Sequence, residues 1–368
     1  MNREPATAVA PVLEIDDLHV AFATPAGRVQ AVRGVSLTLA PGETLAVVGE
    51  SGSGKSVTAR AVLGLLGPSG VVESGSVRFR GTPLTGASER QLRRVRGNEI
   101  AMVFQDPMTA LDPTVPVGRQ VSEPLRIHRG ISRRAADAAA VRLLESVGIE
   151  NAAERRRQFP HQFSGGQRQR ICIATALACD PAILIADEPT TALDVVVQAQ
   201  VLDLLAGLRG SASTSVIFIT HDLGVVASIA DRVAVMYAGR IVEIGTTTEI
   251  FLNPQHPYTW GLLASLPTGT ADRLHEIPGT PPDMLRPPPG DAFAARNPDA
   301  RQIDLEVQPP LIEVSPTHAA ATWLLAEGAP EAPVPPEIAA RHARFRERAD
   351  RTTIGPTPGP TTDRTVEP

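Results

Sequence analysis

Residues 49–56 read GESGSGKS, directly after the apolar run TLAVV and directly before VTARAVLGLL. This stretch limits the fold more than any other. It fits G-x-x-x-x-G-K-[ST], and its flanks predict a buried strand entering the loop and a helix leaving it. Gly49, Gly52 and Gly54 let the backbone bend so that several N–H groups point at one anion. The helix that follows adds its positive N-terminal end. Glu50, Ser51 and Ser53 complete the loop, and Ser56 can offer a hydroxyl to a divalent cation. Lys55 is the only lysine in the chain, against 34 arginines. A compact, rotatable ammonium can reach between two phosphates where a planar guanidinium is too broad. By composition alone such a match arises in on the order of one chain in a hundred, before its strand and helix context is required.

The rest of the chain alternates in the same way. AILIAD (182–187) and SVIFIT (215–220) are apolar runs of the kind buried on both faces, with a helix predicted over 195–210 between them. That pattern implies an α/β fold with a parallel sheet covered by helices. Strands are also predicted over 12–22, 34–49 with a turn at Pro41-Gly42, 75–81 and 99–105, and a hairpin over 231–245 turns at Ala238-Gly239. Residues from about 115 to 178 read as largely helical, with helices over 133–148 and 165–178; the helix after the glycine loop is predicted over 54–66. Residues 1–11 read as a frayed terminus. From about 253 proline becomes frequent, and the stretch from 328 to 368 has little to bury and is expected to be largely disordered.

Composition narrows the class. At 368 residues with 42% apolar and 4% aromatic content, the core must be aliphatic. A net charge of −5 argues against nucleic acid as the main partner. Cys172 and Cys179 lie in one predicted helix with Cα atoms about 10 Å apart, too far for a mutual disulfide; free thiols in a reducing compartment are expected. The absence of an N-terminal apolar segment and of any 18-residue apolar run leads us to expect a chain neither exported nor membrane-spanning.

Four further positions extend the phosphate site. Asp187 ends the strand 182–187 and can hold Mg²⁺ through water; Glu188, one residue on, can orient and polarise an attacking water. His221 follows the strand 215–220 as a γ-phosphate sensor would. Gln105, at the end of the strand 99–105, can contact the metal or the water through its amide. In FSGGQRQR (163–170), Ser164, Gly165, Gly166 and Gln167 open a helix whose N–H groups suit a second phosphate. One chain needs only one such loop for its own γ-phosphate, so this second anion site is best explained by another subunit's nucleotide.

Together these residues resemble the ATP-binding cassette ATPases: the Walker A loop at 49–56, the Q-loop at Gln105, the signature at 164–167, Walker B at 183–188, the D-loop ALD at 192–194 and the switch His221, in the family's order over residues 12–250. The resemblance implies a P-loop NTPase with a parallel core sheet, an antiparallel β subdomain, a helical signature subdomain at about 115–178 within a cassette at 12–252, and a proline-rich extension at 253–327. It implies ATP and Mg²⁺ as cofactors, with Ser56, Gln105 and Asp187 at the metal. It implies Asp194 as a contact to a second ATPase subunit, and Phe22 as an aromatic on adenine, unless that ring is a core residue.

VFQDPMTALDP (103–113), FPHQFSGGQRQR (159–170), HPYTWGLLASLP (256–267) and IPGTPPDMLRPPPG (277–290) look like the ATPase subunits of oligopeptide/dipeptide importers. That likeness implies two transmembrane permease subunits, an extracytoplasmic solute-binding protein, and a place at the cytoplasmic face of the membrane. Some of that group import nickel or other small solutes, which stays open. Many members carry four cysteines for an iron–sulfur cluster; here Asp291, Asn297, Asp304 and Thr322 stand in their places, so no cluster is expected. A soluble cassette ATPase of DNA repair or translation is the less favoured alternative. No heptads separate Gln105 from Ser164, and one cassette is present rather than two.

Overall fold

In the computed structural model, residues 10–191, 194–208, 214–266, 277–329 and 333–353 are described. The expectations for residues 1–9, for Ala192 and Leu193 of the D-loop, and for 330–332 and 354–368 of the tail lie outside them.

Two sheets organise the described residues. β1 (Leu13–Thr24), β2 (Gly27–Leu39), β4 (Gly70–Phe79) and β5 (Thr82–Pro83) make an antiparallel sheet in the order β2-β1-β4-β5; β3 (Thr44–Val48) leaves it for the second sheet. That sheet runs β11-β12-β10-β9-β3-β8-β7-β6, with β6 (Ile100–Val103), β7 (Ile183–Asp187), β8 (Ser215–Thr220), β9 (Arg232–Tyr237), β10 (Arg240–Thr246), β11 (Ile312–Ser315) and β12 (His318–Ala320). β6, β7, β8, β3 and β9 are mutually parallel, and β9 through β11 continue antiparallel. Every residue of β3, β7 and β8 is buried, which is why they read as unbroken apolar runs rather than alternating ones.

Among the described residues three large apolar clusters hold these layers, beside a small one of Leu125, Ala136, Ala178 and Cys179. One joins the antiparallel sheet to the helix Lys55–Val62 and the parallel sheet through Leu18, Leu39, Val62 and Ile185. A second packs the helices Val117–His128, Arg133–Ser146 and Gly165–Leu177 on the opposite side through Val121, Leu144, Ile171 and Phe218. The third gathers Tyr237, Tyr258, Trp260 and Phe293 between β9 and the C-terminal extension.

The structure corrects several expectations. The helix after the glycine loop spans Lys55–Val62 and not 54–66, because Gly64 turns into the left-handed region at φ 62 and Gly67 at φ 75. The hairpin turn is where it was expected: Ala238 (φ 46) and Gly239 (φ 78) give the paired positive φ values of a type I′ turn. The helix Leu223–Ile229, capped by the Asp222 side chain, was not read from sequence. Within the stretch expected to be largely disordered, Pro336–Thr353 is helical. One fully buried side chain, Ile338, anchors it, with Arg341 Nη1 donating to Phe251 O (3.0 Å) and His342 Nε2 against Pro254 O (2.9 Å).

The extension also adds β11 and β12 to the edge of the main sheet. Glu243 of β10, fully buried, explains the join. It accepts from the backbone N–H of Gln255 (2.7 Å) and of His256 (3.0 Å), and it meets His318 Nε2 of β12 at 2.8 Å. Burying a carboxylate is costly unless its oxygens are satisfied in this way.

Candidate active site

The C-terminal ends of β3, β6, β7 and β8 lie side by side, the place where open parallel sheets present their ligand crevice. Each end carries one of the residues singled out from sequence. β3 runs into the glycine loop, whose shape depends on glycine at two points. Gly49 has φ 150, and a Cβ there would lie 2.1 Å from Met236 O; Gly54 has φ 103, and a Cβ there would lie 2.5 Å from Ala31 O. Any side chain at either position would have to displace backbone.

Lys55 is buried, and its Nζ donates to Gly49 O (2.7 Å) and Glu50 O (2.8 Å), with Ser53 Oγ at 3.4 Å. Burial pulls the ammonium below its ordinary pKa, opposed by the carboxylates of Glu188, Asp187 and Glu50. Ser56 Oγ donates to Asp187 Oδ1 at 2.7 Å. Asp187 Oδ2 is buried with no partner of its own. Burial raises this carboxyl above its ordinary range against the Ser56 hydrogen bond and Arg60. A buried carboxylate with an orphaned oxygen beside a hydroxyl fits a hard divalent cation.

Glu188 adopts φ 47, an uncommon left-handed backbone for a non-glycine residue. Its Oε2 accepts from Gln105 Nε2 (3.0 Å) and from Thr191 Oγ1 (2.9 Å), and His221 Nδ1 lies 3.6 Å from its Oε1. Lys55, Ser56, Gln105 and Glu188, with Ser51 and Gly52, line one cleft of about 160 Å³. Thr191 was not identified from sequence; nothing distinguishes its hydroxyl from the other threonines of the chain.

Neither Phe22 nor the signature residues line this cleft. Phe22 is half-buried in the antiparallel sheet, opposite Val29 and Gly70. Ser164 caps the helix Gly165–Leu177, its Oγ accepting from Gln167 N (3.3 Å) while Gln167 Oε1 accepts from Ser164 N (3.2 Å). Ser164 and Gly165 are exposed, whereas Gly166 is buried, where a Cβ would sit 2.3 Å from Val197. Asp194 Oδ1 accepts from Val197 N (2.9 Å) and so caps the helix Val195–Leu208.

The four positions that carry cluster cysteines in the resembling family do not suit an iron–sulfur cluster here. Asp291, Asp304 and Thr322 are buried oxygen donors and Asn297 is half-buried. Thiolate sulfur is what such clusters need. The chain's two cysteines both lie in or just after the helix Gly165–Leu177, and both are buried and free. Among the described residues no three His, Cys, Asp or Glu side chains are grouped to hold a metal.

A glycine loop after a central parallel strand, two carboxylates at the end of the strand next but one to it, and a capped SGGQ helix start define an ATP-binding cassette, and comparison with known proteins agrees. The ABC transporter family matches residues 32–191, and the family described as the oligopeptide/dipeptide transporter C-terminal region matches residues 242–303. The chain is 56% identical to the dipeptide transport ATP-binding protein DppD of Lactococcus lactis subsp. cremoris, over 91% of this chain and 97% of that protein. It is 56% identical to the oligopeptide transport ATP-binding protein OppD of Bacillus subtilis, over 94% and 98%. A solved dimer of the ATP-binding cassette MJ0796 in a post-hydrolysis state, bound to ADP and Pi, superposes with a TM-score of 0.58 at 27% identity, covering 64% of this chain and 98% of that one. The chain belongs to the ABC transporter ATPases, and within them to the ATP-binding subunits of oligopeptide/dipeptide transporters. It is therefore a nucleotide-binding ATPase; among the described residues no helix is long and apolar enough to cross a membrane.

Proposed function

We propose that this chain hydrolyses ATP to drive peptide uptake. It would act at the cytoplasmic face of the membrane with a second, identical or homologous ATPase subunit, two permease subunits and an extracytoplasmic solute-binding protein. The observation that carries the reading is the division of the site. Lys55, Ser56, Asp187, Glu188, Gln105 and His221 converge at four strand ends, while the SGGQ helix start stands exposed and outside that cleft.

In this reading Lys55 exchanges the carbonyls of Gly49 and Glu50 for the β- and γ-phosphate oxygens, and the N–H groups of the loop hold the rest of the triphosphate. Ser56, Asp187 and Gln105 would hold Mg²⁺, which supplies charge neutralisation on the phosphates. Glu188, fixed by Gln105 and Thr191 on one oxygen, orients the attacking water and takes its proton as the γ-phosphorus bond to the bridging oxygen breaks. His221 contacts the γ-phosphate. Ser164 to Gln167 cap the nucleotide of the second subunit and Asp194 lies at that contact, so ATP closes the pair and hydrolysis opens it. The relatives named for dipeptide and oligopeptide transport support peptides as the solute.

Two variants in the assembled transporter test the division. Lys55→Ala is expected to lose ATP binding. Ser164→Arg is expected to keep ATP on its own loop but to lose hydrolysis and uptake of a labelled oligopeptide. Equal loss of ATP binding in both would put the SGGQ segment on its own chain's nucleotide and overturn the proposal. Uptake of nickel but not of peptide by the parent would overturn the solute.

A further inference from the structure

The C-terminal extension reaches the glycine loop from behind, and it does so at one residue. All three polar handles of Glu50 are occupied. Its backbone N–H donates to Tyr258 Oη at 2.8 Å, its Oε2 accepts from Arg296 Nη1 at 2.8 Å, and its carbonyl accepts from Lys55 Nζ at 2.8 Å. Two of those partners belong to the extension, and the third is the lysine proposed to hold the phosphates.

Neither extension residue is a surface side chain that happens to touch the loop. Tyr258 is fully buried, and its ring lies 4.5 Å from that of Tyr237 at the end of β9. The Arg296 side chain is 5% exposed. Its Nε donates to Pro278 O (2.8 Å), its Nη1 also reaches Tyr237 Oη (3.2 Å), and its guanidinium lies over the rings of Tyr237 and Phe293 at 5.7 and 5.8 Å. The short helix Ala294–Arg296 that presents it is set by Asp291, whose Oδ1 accepts from Phe293 N at 3.0 Å. A guanidinium fixed at three points in this way has little freedom left to lose when it also holds Glu50.

We infer that Tyr258 and Arg296 are positioning residues for the phosphate loop: they act through Glu50 to hold the loop, and with it Lys55, in the shape that receives the triphosphate. This deepens the ATP-site reading above and rests on it. The physical reason is pre-organisation. A loop of glycines and serines is costly to order at the moment of binding, and an external clamp that orders it beforehand tightens ATP binding without touching ATP. Glu50 itself could not serve as a phosphate contact through its carboxylate, since both would be anionic. Its pairing with Arg296 gives that side chain a different task.

The test is a double-mutant cycle on the purified full chain, measuring the dissociation constant of Mg-ATP by displacement of a fluorescent ATP analogue. Arg296→Ala and Tyr258→Phe are each expected to weaken Mg-ATP binding on the order of tenfold, the loss that follows when a buried, charge-assisted or otherwise unsatisfied partner is removed. Arg296→Lys should recover part of the loss because it keeps the charge near Glu50. In a Glu50→Ala background, Arg296→Ala should add less than about twofold, because the shared contact is already gone. A merely structural role for Arg296 predicts a different pattern: equal effects in both backgrounds, tracking thermal stability. Should Arg296→Ala not fold, Tyr258→Phe, which removes one oxygen and keeps the ring, carries the test. Binding within twofold of the parent in folded Arg296→Ala or Tyr258→Phe overturns the inference, as does full additivity with Glu50→Ala. If Lys55→Ala still binds Mg-ATP like the parent, the site reading itself fails. If Lys55→Ala loses binding while the extension variants do not, only the clamp is wrong.

Discussion

Replacing Asp291 by Asn should change how the stability of the C-terminal extension depends on pH, and the structure gives the size of the change. Asp291 is 6% exposed, and burial, with Asp304 adding, pushes its carboxyl up to about 6 from an ordinary 3.8. A carboxyl raised on folding stabilises the folded state fully below its unfolded pKa, and that contribution is lost as pH rises through the folded one. Displacement from 3.8 to about 6 corresponds to about 3 kcal/mol at the extremes, of which about 2 kcal/mol falls between about pH 4 and about pH 7.5. Asn keeps the oxygen that accepts from Phe293 N but cannot ionise.

His256 moves the other way. It is fully buried, its Nε2 lies 3.9 Å from Asp291 Oδ2, and burial lowers it to about 4 from 6.5. Its contribution is present above about 6.5 and is lost as pH falls through about 4. In the parent the two groups oppose each other across mild acid; in Asp291→Asn only the His256 loss remains. Urea unfolding at a series of pH values, followed by tryptophan fluorescence, reads this region directly. Both tryptophans of the chain lie in it, Trp260 bonded to Pro254 O and Trp323 to Val307 O. The variant should gain about 2 kcal/mol on the parent between about pH 4 and about pH 7.5. A difference between the two proteins that stays constant with pH would refute the burial argument.

Cys172, whose thiol burial pushes up to about 12, and Cys179, also buried, should resist a water-soluble thiol reagent near about pH 8 and react together on unfolding; rapid labelling of either in the native chain would contradict the packing of the helix Gly165–Leu177 and the turn after it. Leu144→Ala, at a fully buried position in the helical subdomain, should cost about 2–5 kcal/mol in a urea melt, with Mg-ATP binding by the folded fraction unchanged; a loss below about 1 kcal/mol would mean the site can collapse around the cavity. Gly49→Ala should abolish Mg-ATP binding, since its Cβ would meet Met236 O at 2.1 Å, and near-parental affinity would show that β9 yields.

The central sheet was legible because β3, β7 and β8 are buried on both faces and so leave uninterrupted apolar runs. The residues of the site were legible because a glycine loop, a carboxylate pair and SGGQ are short, contiguous and chemically unusual. What escaped was whatever depends on distant partners. β12 is three residues long and exists by pairing with β10 over the buried Glu243–His318 contact. Among its described side chains the helix Pro336–Thr353 has a single fully buried anchor, Ile338, and its sequence is rich in charge, which from sequence resembles unfolded chain. Thr191 and Arg296 are ordinary residue types that take on their place only when Glu188 and Glu50 arrive beside them.

The account depends most on Glu188 as the group that activates water, and turnover of the Glu188→Gln transporter tests it most directly. The amide preserves the size of the side chain and can still meet Gln105 and Thr191, but it cannot take a proton. With the assembled complex and saturating Mg-ATP, hydrolysis should fall by about 10²–10⁴-fold while ATP stays bound and the two ATPase subunits stay together. Hydrolysis at the parental rate in that variant would remove Glu188 from the chemistry, and with it the reading of this site.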